Sequence, residues 1–381
     1  MKFVSLYLVC LFFGILTTKN NDLLAANNSN DSAYDPTTDS LRFPGEIHFR
    51  NIRQLTFGGN NAEAYWSFDS KQLIFQSDWD KINKQGCDQQ FIMNADGSPL
   101  ANGEQYQLVS TGKGRTTCGY FMPDGSTIFA STHKASAECP EVKHLQGRYV
   151  WGIFQSYDIY RRDKSGNLEV LISGEAYDAE PTVSPDGKYM IFTSTRDGDL
   201  DLYRYEFSTK KTIRITKELG YDGGAFFSRD SKQIVWRASR PTGKDAEDYK
   251  NLLKEDLVEP FALQVYIADI DGKNVKQITN LPKANWAPFF HPSGKKVLFC
   301  SNHEDPRGRN FYIYTIDLDG KNMTKISNSG LFDAFPMFSY DGKKIVFSSN
   351  RTTDGKPTRA TNVFVADWIE NPTDVDLNFG K

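Results

Sequence analysis

The chain has 381 residues, enough for a large hydrophobic core, and its apolar and charged fractions of 39% and 24% are ordinary for a globular protein. The formal net charge of −3 argues against nucleic acid as a partner, because phosphate binding needs clustered Lys and Arg. Aromatic residues make up 13% of the chain and there are 29 glycines, which favours β-strands joined by tight turns.

Residues 1–19 have the pattern of a secretory signal peptide. Lys2 precedes a nearly continuous apolar run that ends at Leu16 and is too short to span a bilayer comfortably. Residues 20–41 are rich in Asn, Asp, Ser and Thr, and we expect them to form a flexible linker. We therefore predict an exported protein, periplasmic or secreted, with no transmembrane segment in its mature chain.

Six copies of one hairpin motif follow along the chain. Each has a small residue or Pro, two apolar or aromatic residues, a tight turn and an apolar strand; the copies begin at Ala64, Gly119, Pro181, Ala225, Pro288 and Pro336. Asp-Gly forms the turn in three copies, and this pair tolerates the positive φ of hairpin turns. A third and a fourth short strand follow each hairpin, such as VYIADI and VKQIT in the fourth copy.

Four short antiparallel strands, repeated six times, predict an all-β, six-bladed β-propeller over residues 42–371, with a C-terminal tail at 372–381. The repeats start with a fourth-type strand, IRQLT from Ile52, and end with a third-type strand, NVFVADW from Asn362. We therefore expect the N-terminal strand to complete the last blade and close the ring.

The SPDGK-type hairpins, YIAD-type third strands and QLT-type fourth strands resemble the propeller repeats of the TolB family, over roughly Arg53 to Trp368. Prolyl-oligopeptidase-type peptidases carry the same repeats in their propellers. The resemblance implies a stand-alone, exported TolB-like propeller. TolB itself has an α/β domain before its propeller, and a short linker takes that place here, so the resemblance does not extend to the part that contacts TolA.

Common catalytic motifs are missing from the sequence, among them G-x-S-x-G, G-x-G-x-x-G, the P-loop, H-E-x-x-H and C-x-x-C. We therefore predict a monomeric, non-catalytic module without a cofactor that binds an envelope or secreted protein or peptide. The alternative is a metal-assisted carbohydrate lyase or hydrolase at the channel mouth. His133 and His303, with Glu304 and Asp305, are its candidate ligands for a divalent cation.

One end of the propeller is the predicted binding face. Two long insertions, 133–156 and 240–263, lie at the end where the first strands begin, and the apolar spacing in the second predicts a short amphipathic helix. Polar residues just before each repeat either cap turns there or ring the channel mouth and bind a cation or a basic group. The predicted binding residues are Glu63, Arg115, Asp178, Glu180, Asp222, Trp286 and Asp333.

Four cysteines follow the predicted signal peptide. Cys300 ends an apolar strand and is expected to be a buried free thiol. Cys87, Cys118 and Cys139 map to one end of blades one and two, and an oxidising compartment permits one bridge among them. We favour Cys87–Cys118, and leave Cys118–Cys139 and Cys87–Cys139 open because sequence does not fix connectivity.

Overall fold

The computed structural model describes residues 34–380, so the predicted signal peptide and most of the predicted linker lie outside the described residues. One compact unit begins at Asp39, rather than at residue 42, and the preceding Pro36–Thr38 forms a single 3-10 turn. The Asp39 carboxylate explains the earlier start, because it accepts the backbone N–H groups of Asn51 (2.7 Å) and Ile52 (3.0 Å).

Six four-stranded antiparallel sheets form the blades, which confirms the predicted propeller. The first strand is β1 (Phe49–Gln54). Blade one contains β2 (Asn61–Trp66), β3 (Gln72–Ser77), β4 (Gln89–Asn94) and β5 (Gln107–Leu108). Blade two contains β6 (Thr116–Phe121), β7 (Thr127–Ser131), an insertion with β8 (Trp151–Gly152), β9 (Asp158–Arg162) and β10 (Leu168–Ile172). Blade three contains β11 (Asp178–Val183), β12 (Tyr189–Ser194), β13 (Asp201–Glu206) and β14 (Lys211–Arg214).

Blade four contains β15 (Asp222–Phe227), β16 (Gln233–Ala238), an insertion with α1 (Gly243–Lys254) and β17 (Leu257–Val258), β18 (Gln264–Asp269) and β19 (Lys276–Gln277). Blade five contains β20 (Asn285–Phe290), β21 (Lys296–Ser301), β22 (Tyr312–Asp317) and β23 (Thr324–Lys325). Blade six contains β24 (Asp333–Phe338), β25 (Lys344–Ser349) and β26 (Asn362–Trp368), and α2 (Asp374–Leu377) follows it.

The ring closes as the strand order predicted. Strand β1 pairs antiparallel with β26 at the outer edge of blade six, and Phe49 faces Trp368 in this register. Phe49 is buried and stacks on Phe347, with ring centroids 5.5 Å apart. The backbone N–H of Leu55 extends the contact by donating to the Val363 carbonyl at 2.8 Å. Both ends of the propeller sequence therefore share one sheet, which removes two free strand edges.

Every inner strand contains a bulge near its start. The strands begin at the polar residues Asn61, Thr116, Asp178, Asp222, Asn285 and Asp333, three residues before the motif that the sequence displays. The third residue of each has a φ between 46° and 58° and interrupts pairing with the second strand; these residues are Glu63, Cys118, Glu180, Gly224, Ala287 and Phe335. A bulge re-aims the side chain at its position, here towards the axis.

Aromatic side chains fill the middle of the channel. Tyr65 of blade one and Phe226 of blade four come from opposite sides of the ring, and yet their ring centroids are 5.3 Å apart. Tyr120 packs against both, at 5.7 and 6.1 Å. The axis below the bulges is therefore closed by packed side chains.

The C-terminal residues pack on the last blade. Helix α2 carries the buried Asp376, which accepts hydrogen bonds from Arg42 (3.2 Å) and Arg50 (2.8 Å). The segment assigned as a tail thus contributes a buried carboxylate to the outer side of blade six.

Candidate functional site

The bulged residues form a ring just inside the end of the channel that bears the long insertions. Glu63 of blade one and Cys118 of blade two meet there, and the Cys118 thiol donates to Oε2 of Glu63 at 2.8 Å. Loss of hydration raises the pKa of Glu63, and the residue as a whole is partly exposed. Glu63 is therefore an accessible acid that favours its protonated form more than an ordinary glutamate does.

A charged network occupies the neighbouring part of the ring. Glu180 of blade three forms an ion pair with Arg237 of blade four and accepts hydrogen bonds from the hydroxyls of Tyr221 (2.8 Å) and Thr193 (2.7 Å). The backbone N–H of Gly224 donates to the same carboxylate at 2.9 Å. The glutamate is thus satisfied by one cation and three neutral donors, the arrangement a buried charge requires.

Gly224 makes this network possible. A Cβ at this position would lie 1.9 Å from Nη1 of Arg237, and the backbone there has a φ of +58°. Only glycine leaves room for the guanidinium to enter the ring from the second strand of its blade.

Two insertions meet over the network and form a strap, which we define as strands β8 and β17. Val258 pairs with Trp151 and Leu257 with Gly152, although the two strands come from blades two and four. Arg148 holds the insertions together outside the strap through Asp248 and Glu259, both at 2.6 Å. The strap therefore spans the inner end of blade three.

Trp151 is the strap residue that covers the network. Its ring lies 5.5 Å from the guanidinium carbon of Arg237, and its centroid is 6.2 Å from that of Tyr221 and 5.3 Å from that of Trp286. The mouth is thus covered on the side of blades three to five, whereas Glu63 and Phe335, on blades one and six, remain partly exposed.

Three of the predicted binding residues are buried in ion pairs instead of lining the mouth. Asp178 pairs with Arg196 (2.7 Å), Asp222 with Arg240 (2.7 Å) and Asp333 with Arg351 (2.9 Å). The three carboxylates are 1%, 0% and 0% exposed, so they do not line an open mouth. Each partner arginine stands 18 residues after its aspartate, a repeat in the sequence that signals the pairing.

The two remaining predicted residues, Arg115 and Trp286, differ in exposure. Arg115 pairs with Asp88 at 2.8 Å, and both keep about a quarter of their side chains exposed, at 24% and 23%. Trp286 is buried and stacks on Phe311 with centroids 4.3 Å apart. The structure therefore brings Glu63, Glu180 and Trp286 together near the axis, and keeps Arg115 further out.

The opposite end of the channel is plugged. Phe68 stacks on Tyr340 at 4.3 Å, and the hydroxyls of Tyr340 and Tyr120 are 2.9 Å apart. A cavity of about 30 Å³ remains beside them, enough for about one water. A larger groove of about 390 Å³ lies outside the channel, between α1 and blade three, and Tyr249 and Asp199 line it.

The histidines considered as metal ligands lie on blades two and five, on opposite sides of the ring. Nδ1 of His133 bonds to Ser131 and Nδ1 of His303 to Ser301, at 2.8 and 2.9 Å. Among residues 34–380, no group of three or more His, Cys, Asp or Glu side chains could hold a metal ion. In the same residues, no helix has the length and apolar character to cross a membrane.

The disulfide joins Cys87 to Cys139, so the favoured Cys87–Cys118 pairing was wrong. Cys118 is buried at the bulge of β6, where it faces Glu63 and not the rim loops that carry the other two cysteines. Cys300 is a buried free thiol, as predicted.

Comparisons with known proteins agree with the fold and its repeats. Residues 259–359 match the model of the TolB beta propeller domain. The chain carries TolB-like propeller repeats. An uncharacterized protein of Agrobacterium fabrum is 29% identical over 70% of this chain and 75% of its own length. A TolB homolog of Chlorobium chlorochromatii is 25% identical over 46% of this chain, and the match spans 37% of that protein.

Solved structures show the same TolB-like architecture. A structure from Agrobacterium tumefaciens superposes with a TM-score of 0.52 and 19% identity, over 84% of this chain and 97% of that one. TolB from Acinetobacter baumannii gives a TM-score of 0.50 at 20% identity, over 83% of this chain and 65% of that one. At these identities the likeness establishes the fold alone.

The sequence analysis missed Arg237, Tyr221 and the role of Trp151. An alignment of the six repeats contains a signal for the first, because blade four has the pair Gly223-Gly224 where other blades have larger residues. At the penultimate position of its second strand, blade four also has an arginine, where the other blades have Gln, Ala, Thr, Cys or Ser. A glycine facing a lone arginine indicates a side chain that crosses into the channel.

Proposed function

We propose that this chain is an exported, non-catalytic propeller that binds a peptide segment of an envelope or secreted protein at the strap end of its channel. The observation that carries the proposal is the asymmetry of the channel. Aromatic residues close one end, whereas the other end has an accessible acid, Glu63, beside the Glu180–Arg237 pair. Binding residues are commonly carried by loops on a rigid scaffold, and the long insertions lie at this end.

The relatives support the class of partner. A protein of Francisella tularensis named Tol-Pal system protein TolB is 29% identical over 41% of this chain, and the match spans 31% of that protein. The shared part lies in the repeats, so the propeller is the part of such proteins to which this proposal applies. Export and a place in the cell envelope belong to the proposal as well.

The experiment is capture of partners from an envelope extract, followed by titration of the purified partner. Glu63→Gln should weaken binding by about tenfold, because a buried hydrogen bond to a charged or polar ligand group is worth about 1.5–3 kcal/mol. Lys343→Ala, at an exposed hairpin turn of the plugged end, is the matched control and should bind like the parent. Weaker binding in the control, with Glu63→Gln unaffected, would show that the wrong end was chosen.

A further inference from the structure

Two buried nitrogen donors lie beneath the strap without an acceptor. Nε of Arg237 and Nε1 of Trp286 are shielded from solvent, and neither has a hydrogen-bond partner among residues 34–380. Both residues are 7% exposed. Buried N–H groups are nearly always paired in folded proteins, and each unpaired one costs free energy, so two in one place call for an explanation.

The two donors belong to side chains that contact the same ring. Trp151 of the strap packs over the Arg237 guanidinium and against the Trp286 indole, at 5.5 and 5.3 Å. Neither side chain is free to turn away. Glu180 and Tyr221 bind Nη2 of Arg237, and Phe311 stacks on the indole. The donors are therefore carried by two fixed side chains that both contact Trp151.

The chemistry of these groups selects a small anion. Both atoms can only donate, and one belongs to a cation, so the missing partner is an acceptor, best a negatively charged one. A carboxylate offers two oxygens and a single charge. Glu63 and Glu180 stand nearby and would oppose a dianion, and the aromatic walls suit the carbon atoms beside a carboxylate.

We propose that the site beneath the strap binds a carboxylate of the peptide ligand through Nε–H of Arg237 and Nε1–H of Trp286, with Trp151 moving aside to admit it. This inference deepens the proposed function and rests on it. The closed strap leaves the two donors unsatisfied, and the ligand satisfies them. The carboxylate comes from a chain terminus or from an acidic side chain, which share this chemistry.

Four short peptides separate these sources. Acetyl-Ala-Ala-Ala is used with a free carboxyl terminus and with an amide terminus, and acetyl-Ala-Glu-Ala-amide is compared with acetyl-Ala-Gln-Ala-amide. Binding is followed by tryptophan fluorescence and by calorimetry. We expect at least one carboxylate peptide to bind about tenfold or more tightly than its neutral match. The proposal is overturned by equal binding within both pairs, or by no binding of either carboxylate peptide up to about 10 mM.

Two conservative variants assign the donors. Arg237→Lys keeps a cation for Glu180 but removes Nε–H, and Trp286→Phe keeps a ring on Phe311 but removes Nε1–H. Each should reduce the preference for the carboxylate peptide about tenfold, whereas Trp368→Phe, at the plugged end, should not change it. An unchanged preference in both variants, with melting temperatures near that of the parent, would refute the assignment.

Trp151→Ala tests the strap and avoids any change to the donors. Because the variant needs no movement of the ring, it should bind the carboxylate peptide more tightly than the parent does. Equal or weaker binding would contradict the role of Trp151 as a cover. If the captured partner depends on Glu63 but not on Arg237 or Trp286, the carboxylate inference fails and the proposed function stands.

Discussion

At the scale of single residues, six equivalent positions in one geometry carry five different residue types. The bulge fixes direction, since each third residue of an inner strand has a positive φ and faces the axis. Residue identity then decides the outcome: a carboxylate in two blades, a thiol in one, and a glycine that admits an arginine in another. The candidate site thus depends on the positions at which the repeats differ, whereas the fold depends on the positions at which they agree.

The buried Asp222 should give the protein a measurable pH dependence. Burial raises its pKa from the usual 3.8 to about 7, although Arg240 opposes the shift. The folded protein holds this proton more tightly than the unfolded chain does, so the group favours folding below about pH 4, and that contribution declines as the pH rises to about 7. For this single group, the free energy of unfolding can fall by at most about 1.4 kcal/mol per pH unit.

Denaturant unfolding between pH 4 and pH 8 checks this expectation. Asp222→Asn should reduce the fall in the free energy of unfolding as the pH rises. Arg240→Met should extend the decline to higher pH, because the carboxylate loses the cation that stabilises its charged form and its folded-state pKa rises further. The double variant should be as flat as Asp222→Asn. A steep profile in the double variant would mean that another group causes the dependence.

At the scale of elements, the insertions do more than extend loops. Helix α1 was predicted from apolar spacing, and it packs with Tyr249 and Leu252 buried. Helix α1 brings β17 to β8, which belongs to another blade. Each of these two strands has only two residues, too few to give a pattern in the sequence. The disulfide also joins two blades. Cys87 lies in the loop between β3 and β4 of blade one, and Cys139 lies in the insertion of blade two.

Removal of the disulfide should lower stability without changing the fold. The bridge closes a loop with a sequence separation of 52 residues, so the double variant Cys87→Ser, Cys139→Ser should lose about 2–4 kcal/mol of the free energy of unfolding. Among the cysteines of the described residues, alkylation of the unfolded parent without reductant should label only Cys118 and Cys300. Recovery of a bridged peptide that contains Cys118 would contradict the observed pairing.

At the scale of the whole molecule, stability depends on closing the ring. Strand β1 supplies the outer edge of blade six, and Thr56 adds a hydroxyl that accepts the Val363 N–H at 2.9 Å. Phe49 is fully buried in this contact. The blades therefore form one cooperative unit whose two ends hold each other.

Deletion of residues through Thr56 should open the ring. It removes a strand from blade six and exposes an edge of β26, so we expect aggregation or a large fall in melting temperature. Deletion through Thr38, which keeps the compact unit from Asp39 onward, is the control and should melt like the parent. A protein that lacks β1 but melts at the parental temperature would disprove the closing role of this strand.

The sequence by itself determined the number of blades, the four strands of each, the closing strand and the helix in the insertion of blade four. These features depend on turn residues and on apolar spacing, which are local. It also identified Glu63, Glu180 and Trp286 as candidates, because their positions repeat from blade to blade.

The tertiary structure alone decided which side chains meet. Arg237 and Glu180 are 57 residues apart and come from different blades, and their contact depends on a bulge and on the space that a glycine leaves. Three aspartates are carboxylates like Glu63, but each is buried in an ion pair with an arginine; they are Asp178, Asp222 and Asp333. Burial and pairing are properties of the assembled ring, since the neighbours of each side chain come from distant parts of the chain.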